Sequence, residues 1–277
     1  MLTISQLKEI FAKYDFHPLK RLGENYLIDS NIKDKIIAES RLLKEDIVLE
    51  IGPGLGAVTM DLAKSGAGVF AVEKDRKAFA ILGKLSADIP NLKLIQGDIL
   101  EFDIRDIGAS KRIKVIGNLP YYITTPIMEY LIRNKADIES AIVMVQREFA
   151  NRLLALPGTK DYSSLSCFIQ YHMKPSYIYT VKRASFYPEP DVDTGLIRLD
   201  VLETPSVDVK DEDLLFKVIR SSFNQRRKSI INSLSREEAL NMPKKDLSDI
   251  LAGLKIDPSI RPEMLSLSEF AKIANAL

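Results

Sequence analysis

Four consecutive residues, Asn118-Leu119-Pro120-Tyr121, combine an amide, a backbone carbonyl followed by proline, and an aromatic ring. That set suits chemistry on the exocyclic amine of adenine. The lone pair of such an amine is delocalised into the ring, so the nitrogen is a poor nucleophile. Two acceptors placed on its hydrogens draw it toward sp³ geometry and aim the lone pair. The Asn118 side-chain oxygen is one candidate acceptor and the Leu119 carbonyl is another. Pro120 restricts Leu119 to extended conformations, which fixes where that carbonyl points. Tyr121 offers a face on which a base can stack, worth roughly 1–3 kcal/mol. No strong general base is required, because the amine becomes acidic as it gains a methyl group. Rate then comes from positioning and electrostatics. The bland alternative is a strand-ending turn with no ligand.

A second group of residues has the spacing of a nucleotide-cofactor site. Glu50-Ile51-Gly52-Pro53-Gly54-Leu55-Gly56-Ala57 follows a short apolar run, and glycines at a strand-to-helix turn let backbone approach a ligand closely. Glu73 closes the next apolar run, where a carboxylate can accept hydrogen bonds from ribose hydroxyls. These features alone also fit a nicotinamide dehydrogenase: Gly52-x-Gly54-x-x-Ala57 satisfies the dinucleotide fingerprint, and Glu73 stands close to the expected ~20 residues further on. Three observations separate the two. No tyrosine is followed four residues later by lysine, the common short-chain dehydrogenase pair. Asp98, after Gly97, can accept from an adenine amino group. Asn118 to Tyr121 has no role in hydride transfer but a clear one in amine methylation.

The elements that must position these residues are legible in the same region. Ile47–Ile51 reads as a buried strand that stops at glycine, and Val69–Glu73, Leu92–Gln96, Ile113–Gly117 and Ile142–Val145 read as four more strands. Segments of helical period lie between them at Val58–Lys64, Arg76–Leu85 and Pro126–Arg133. Such alternation predicts a mostly parallel sheet covered on both faces. Ser176–Val181 and Gly195–Val201 are two further strands without a long helix between them, which predicts an antiparallel edge. After about Thr204 the strand signal disappears. Leu214, Leu215, Val218, Ile219 and Phe223 share one helical face, and Ser266 with Glu269 forms a capping box. The expected division is residues 1–204 as a cofactor-binding catalytic domain and 205–277 as a small helical domain.

Composition limits the function classes. The 277 residues are 46% hydrophobic with a net charge of +1, so a folded core is expected and nucleic-acid affinity must come from local clusters. One cysteine and two histidines exclude a disulfide framework and argue against zinc, so no metal is expected. No apolar run approaches ~20 residues, and the first residues lack the uninterrupted apolar core of a signal peptide. The expectation is a cytoplasmic monomer. From Leu214 to Arg236 there is no acidic residue, whereas Arg226, Arg227 and Lys228 stand together. Tyr162 to Pro188 is also acid-free and interleaves Lys174, Lys182 and Arg183 with aromatics. That composition suits single-stranded or splayed RNA. Tyr171, Tyr177 and Tyr179 are read as core, and Cys167 and His172 as structural.

Taken together, Leu22-Gly23-Glu24-Asn25-Tyr26-Leu27, Glu50 to Gly56, Glu73, Gly97-Asp98, Asn118 to Tyr121 and Phe186-Tyr187-Pro188-Glu189-Pro190-Asp191-Val192-Asp193 resemble the ribosomal RNA adenine dimethyltransferases. Within them the bacterial small-subunit group is most similar, and the resemblance runs from about Lys20 to the C-terminus. It implies a Rossmann-like class I fold with a seven-stranded, mostly parallel sheet. It implies S-adenosylmethionine as cofactor, held by Asn25, Leu27, Gly52, Gly54, Glu73, Asp98 and Asn118. The target adenine would be held by Asn118, Leu119, Pro120 and Tyr121, with Phe186 as an opposing aromatic wall. The implied reaction is N6,N6-dimethylation of two adjacent adenosines near the 3′ end of 16S RNA, within the small ribosomal subunit and late in its assembly. Arg226, Arg227 and Lys228 resemble the RNA-docking tail of that group. Two positions depart from the common pattern, Glu24 for glutamine and Tyr26 for phenylalanine; Glu24 adds charge near a sulfonium. The alternatives are a 23S RNA methyltransferase of the macrolide-resistance type and a non-catalytic assembly factor.

Overall fold

A computed structural model describes residues 3–18, 25–236 and 242–277. Lys20, Leu22, Gly23 and Glu24 lie outside the described residues. The chain divides into two compact units, one of residues 1–150 with 176–201 and one of residues 151–175 with 202–277. These are not the two consecutive segments that the change in composition suggests, because residues 151–175 cluster with the C-terminal part.

The first unit is built on a seven-stranded sheet. After helix α1 (Ile4–Lys13), the two-residue strand β1 (Tyr26–Leu27) and helix α2 (Ser30–Ser40), strands and helices alternate. They are β2 (Ile47–Ile51), α3 (Thr59–Lys64), β3 (Gly68–Glu73), α4 (Arg76–Leu85), β4 (Leu92–Gln96), β5 (Ile113–Asn118), α5 (Thr124–Arg133) and β6 (Ile138–Gln146). Helix α6 (Arg147–Leu154) follows, and beyond helix α7 (Ser164–His172), which belongs to the second unit, come strand β7 (Met173–Val181), the short β8 (Phe186–Tyr187) and β9 (Thr194–Val201). The sheet order is β4-β3-β2-β5-β6-β9-β7. Strands β2 to β6 pair in parallel, and β9 runs antiparallel to β6, which realises the expected edge.

Successive residues of the central strands are buried whichever way they point. Val48, Ile116 and Ile142 pack in one cluster with Ile32 and Ile36 of α2 and Leu62 of α3. Their neighbours Leu49, Val115 and Val143 are buried as well. A central parallel strand sandwiched between helices must be apolar on both sides, and this is why these strands read as continuous apolar runs. Helices α2 and α4 open with side-chain caps: the Asp29 carboxylate accepts from Asn31 N–H, and the Asp75 carboxylate accepts from Ala78 N–H.

The second unit is helical. Helices α8 (Glu212–Asn224), α9 (Ile230–Leu234), α10 (Lys244–Gly253) and α11 (Leu267–Ala276) bury Leu215, Val218, Ile219, Leu251 and Phe270 in a common core with Tyr162, Cys167 and Tyr171. The predicted capping box is present: Ser266 Oγ accepts from Glu269 N–H, and Glu269 accepts from Ser266 N–H. Cys167 is buried and donates to the Tyr162 hydroxyl, in keeping with a structural role.

Candidate functional site

The strand order reverses between β2 and β5, and at that point the connections leave for opposite sides. A crevice opens there at the carboxyl ends of the strands. It is lined by Asn25, Leu27, Gly52, Gly54, Glu73, Asp98, Asn118 and Pro120, so eight of the expected residues are gathered in one cavity. Leu119, Tyr121 and Phe186 are not part of its lining.

The glycines do the local work. Gly52 and Gly54 adopt φ of +65° and +56°, left-handed values that side chains rarely tolerate. A Cβ on Gly52 or on Gly97 would meet no atom within 4 Å, so both would project into the space where a ligand belongs. A Cβ on Gly54 would instead strike the Tyr26 ring at 2.9 Å. Tyr26, the residue that departs from the family pattern, is therefore packed directly on the glycine turn.

Three carboxylates face this crevice. Glu73 accepts from Gly54 N–H at 2.9 Å and from Asp75 N–H at 2.7 Å, one bond on each oxygen. These bonds aim it while leaving each oxygen a further lone pair with which to accept. Burial raises its carboxyl above the usual range against the pull of those N–H groups. Asp98 is the contrary case: burial opposes its ionisation, but Lys74 Nζ at 2.7 Å and the Leu100 N–H hold it below the usual range. The third is Glu50, 4% exposed, with Oε2 buried and lacking a hydrogen-bond partner. Burial, with the Glu73 carboxylate adding to it, pushes Glu50 up to about 8.

At the other end of the crevice, Asn118 closes β5. Its side-chain amide nitrogen donates to the Asn25 carbonyl at 2.9 Å. That bond uses the donor end of the amide and leaves the oxygen available as an acceptor. Leu119 is 1% exposed and its N–H donates to Met144 O. Tyr121 begins a single 3₁₀ turn (Tyr121–Ile123), and its hydroxyl lies 2.9 Å from Thr194 Oγ1. Phe186 is buried at 3% exposure and pairs backbone to backbone with Leu27 across β1 and β8. Its ring thus belongs to the core beneath the cofactor loop and presents no open face.

Glu50, Lys74, Ile99 and Tyr122 also line the crevice and were not among the residues expected there. A carboxylate inside the run Ile47-Val48-Leu49-Glu50-Ile51 was the available signal for Glu50, since a buried strand admits a charge only for a purpose. Tyr171 is buried as expected, but Tyr177 and Tyr179 are 37% and 46% exposed. They lie on β7, the edge strand of the sheet.

In the second unit, Arg226, Arg227 and Lys228 occupy the turn between α8 and α9 rather than a helix face. Arg227 and Lys228 are exposed, and Arg226 donates to the Lys160 carbonyl at 2.5 Å. Among the described residues no group of three or more His, Cys, Asp or Glu is placed to hold a metal ion, and no helix is long and apolar enough to cross a membrane.

An open sheet of this order, with its crevice at the switch point and an amide-proline-aromatic turn beside it, is that of the Rossmann-like methyltransferases. The chain belongs to the ribosomal RNA adenine dimethylase family, whose model matches residues 16–272. "Ribosomal RNA small subunit methyltransferase A" of Alkaliphilus oremlandii is 40% identical over 98% of this chain and 95% of its own. The protein of that name from Bacillus mycoides is 42% identical over 99% and 96%. A dimethyladenosine transferase from Plasmodium falciparum superposes with a TM-score of 0.77 at 28% identity, covering 90% of this chain and 95% of the other. The 23S rRNA methyltransferase ErmE shares the fold, with a TM-score of 0.72 at 23% identity, covering 91% and 99%. The chain is accordingly an rRNA adenine dimethyltransferase.

Proposed function

We propose that this enzyme takes its methyl groups from S-adenosylmethionine and dimethylates N6 of two adjacent adenosines near the 3′ end of 16S RNA, within the small ribosomal subunit. The observation that carries the reading is the Asn118 amide: with its nitrogen committed to Asn25 O, its oxygen is the acceptor available to a base amine beside the crevice. The crevice fits the cofactor on its own terms. Glu73 is held to accept ribose hydroxyls, Asp98 to accept from the adenine amine, and Gly52 and Gly97 leave room for close backbone approach. Glu50, which burial holds largely protonated, becomes a buried negative counter-charge when a cationic ligand favours its ionised form. S-adenosylmethionine supplies a methyl group bound to sulfonium sulfur. The Asn118 oxygen and the Leu119 carbonyl accept the amine hydrogens, and the Tyr121 ring holds the base. The first transfer engages both acceptors, the monomethylated nitrogen keeps one hydrogen for one of them, and each transfer ends with a proton leaving the alkylated nitrogen for solvent.

The small-subunit substrate rather than 23S RNA is favoured by the names of the relatives at 40% and 42% identity, whereas the likeness to ErmE concerns the fold. The first unit is the catalytic one, and the second, with Arg227 and Lys228 exposed, docks on RNA. The cytoplasm is the compartment where such a substrate is found. The test is mass spectrometry of 16S RNA after undermethylated small subunits are incubated with the protein and cofactor. Two dimethyladenosines in one 3′-terminal fragment are expected. Modified 23S RNA, or no incorporation of labelled methyl, would overturn the reading.

A further inference from the structure

Tyr121 can serve as a base platform only if its ring stays where the amine acceptors are. The 3₁₀ turn that carries it has no side-chain cap, so the local backbone alone does not fix the ring. What meets its hydroxyl is Thr194, at 2.9 Å. Thr194 is fully buried, and it is the first residue of β9, paired in register with Gln146 of β6. Being β-branched, it is stiff at χ1, so a sheet-anchored backbone delivers its hydroxyl to one place. The residue before it is tied down as well: Asp193 O accepts from Arg147 N–H, and the Asp193 carboxylate receives Lys182 Nζ at 3.0 Å and Arg183 N–H at 3.2 Å. The strand that Thr194 opens is thus clamped at its start, next to the end of β6. Neither hydroxyl is required for stacking as such, since a phenylalanine ring stacks equally well and a valine fills the same volume as threonine.

We propose that Thr194 is a positioning residue of the methyl transfer, which holds the Tyr121 ring in register with the Asn118 and Leu119 acceptors through its hydroxyl. This rests on the reading of Tyr121 as the platform for the target base. The phenolic oxygen is then the handle of the ring, and Thr194 is the point on the rigid sheet to which the handle is fastened. Losing one such bond lets the ring swing, which costs turnover rather than cofactor binding, because neither residue lines the cofactor crevice.

The test compares Thr194→Val, Thr194→Ser, Tyr121→Phe, the double variant Thr194→Val/Tyr121→Phe and Tyr121→Ala on undermethylated small subunits. Thr194→Val and Tyr121→Phe should each lower kcat by about 10-fold, the equivalent of one positioning hydrogen bond. The apparent KM for S-adenosylmethionine should be unchanged, the double variant no slower than either single one, and Thr194→Ser near wild type. Tyr121→Phe probes the same bond from its other end, so the test survives a Thr194→Val protein that fails to fold. Wild-type turnover in Thr194→Val or Tyr121→Phe, with Tyr121→Ala still inactive, would overturn the positioning role alone. Equal losses in Thr194→Val and Thr194→Ser would show that packing and not the hydroxyl matters. Full activity in Tyr121→Ala would instead remove the platform itself, and the proposal with it.

Discussion

The side-chain amide of Asn118 and the backbone carbonyl of Asn25 are joined by a 2.9 Å hydrogen bond that spans 93 residues of sequence. One bond thereby sets which end of the Asn118 amide is left unengaged and ties the loop before β1 to the end of β5. Asn118→Ala should lower kcat by at least ~100-fold, since an acceptor needed chiefly in the transition state is removed. Asn118→Asp keeps an acceptor but loses the donor to Asn25, so it should also loosen the 25–27 loop and weaken cofactor binding. Single-turnover methyl transfer with separate calorimetry of cofactor binding checks both. Dimethyladenosine yields near wild type from Asn118→Ala would remove the proposed role.

Glu50 gives the site a pH dependence whose sign is fixed. Its folded-state value of about 8 lies above the ordinary 4.5, so the folded protein holds a proton that the unfolded chain releases. The stabilisation linked to this proton is complete below pH 4.5 and is lost as pH rises through about 8. Glu50→Gln should therefore gain on wild type in urea denaturation as pH is raised from 5 toward 8. A cationic ligand favours the ionised carboxylate, so binding of S-adenosylmethionine should release a proton. Between about pH 6 and 7.5 the wild-type affinity should rise on the order of tenfold, while that of Glu50→Gln stays flat. Parallel affinity profiles for the two proteins would show that Glu50 is not the counter-charge.

The glycine turn should fail in a specific way when Gly54 becomes alanine. The residue has φ of +56°, and the new Cβ would lie 2.9 Å from Cε1 of Tyr26. Tyr26 cannot easily yield, because its ring packs edge-on against Phe11 and Phe16. Strain of about 1–3 kcal/mol is expected, with a Tm lower by several degrees and weaker cofactor binding. Gly97→Ala, whose Cβ meets no protein atom, should leave Tm within a degree or so and still reduce cofactor affinity. Calorimetric melts of the two variants, each with and without cofactor, separate strain from obstruction.

The contrast between what the sequence revealed and what it concealed follows from the range of the interactions. The sheet was readable because a central strand buried on both faces must be an apolar run, and because four of the five runs stop at or just before a residue of chemical consequence: Gly52, Glu73, Gly97 or Asn118. The pairing of Tyr26-Leu27 with Phe186-Tyr187 had no such signature, being a two-residue ladder between segments 160 positions apart. For the same reason the burial of Phe186, expected as the opposing aromatic wall and 3% exposed, had no local signature. Tyr177 and Tyr179 went the other way, since alternation shows which residues share a face but not that β7 is the last strand. Residues 151–175 join the helical unit because Tyr162 and Cys167 share one core with Leu215 and Phe270, which no local pattern announces.

Docking on RNA can be separated from chemistry in the second unit. Arg226, Arg227 and Lys228 lie in the turn after α8, and phosphate contacts from such a turn supply affinity and register rather than base identity. Replacing all three by alanine should weaken binding to the small subunit, leave cofactor affinity unchanged, and make the log–log salt dependence shallower by as much as ~2–3 units. The three are not equivalent. Arg226 donates to the Lys160 carbonyl, so its loss also removes a brace within the unit, whereas Arg227 and Lys228 are exposed and free of that duty. The pair Arg227→Ala/Lys228→Ala should therefore reduce the salt slope by up to ~2 units with an unaltered Tm, and Arg226→Ala should lower Tm in addition. Circular dichroism melts establish folding first, and binding is then titrated from low to physiological salt. An unchanged dissociation constant and slope in the folded double variant would mean that these side chains only solvate the turn.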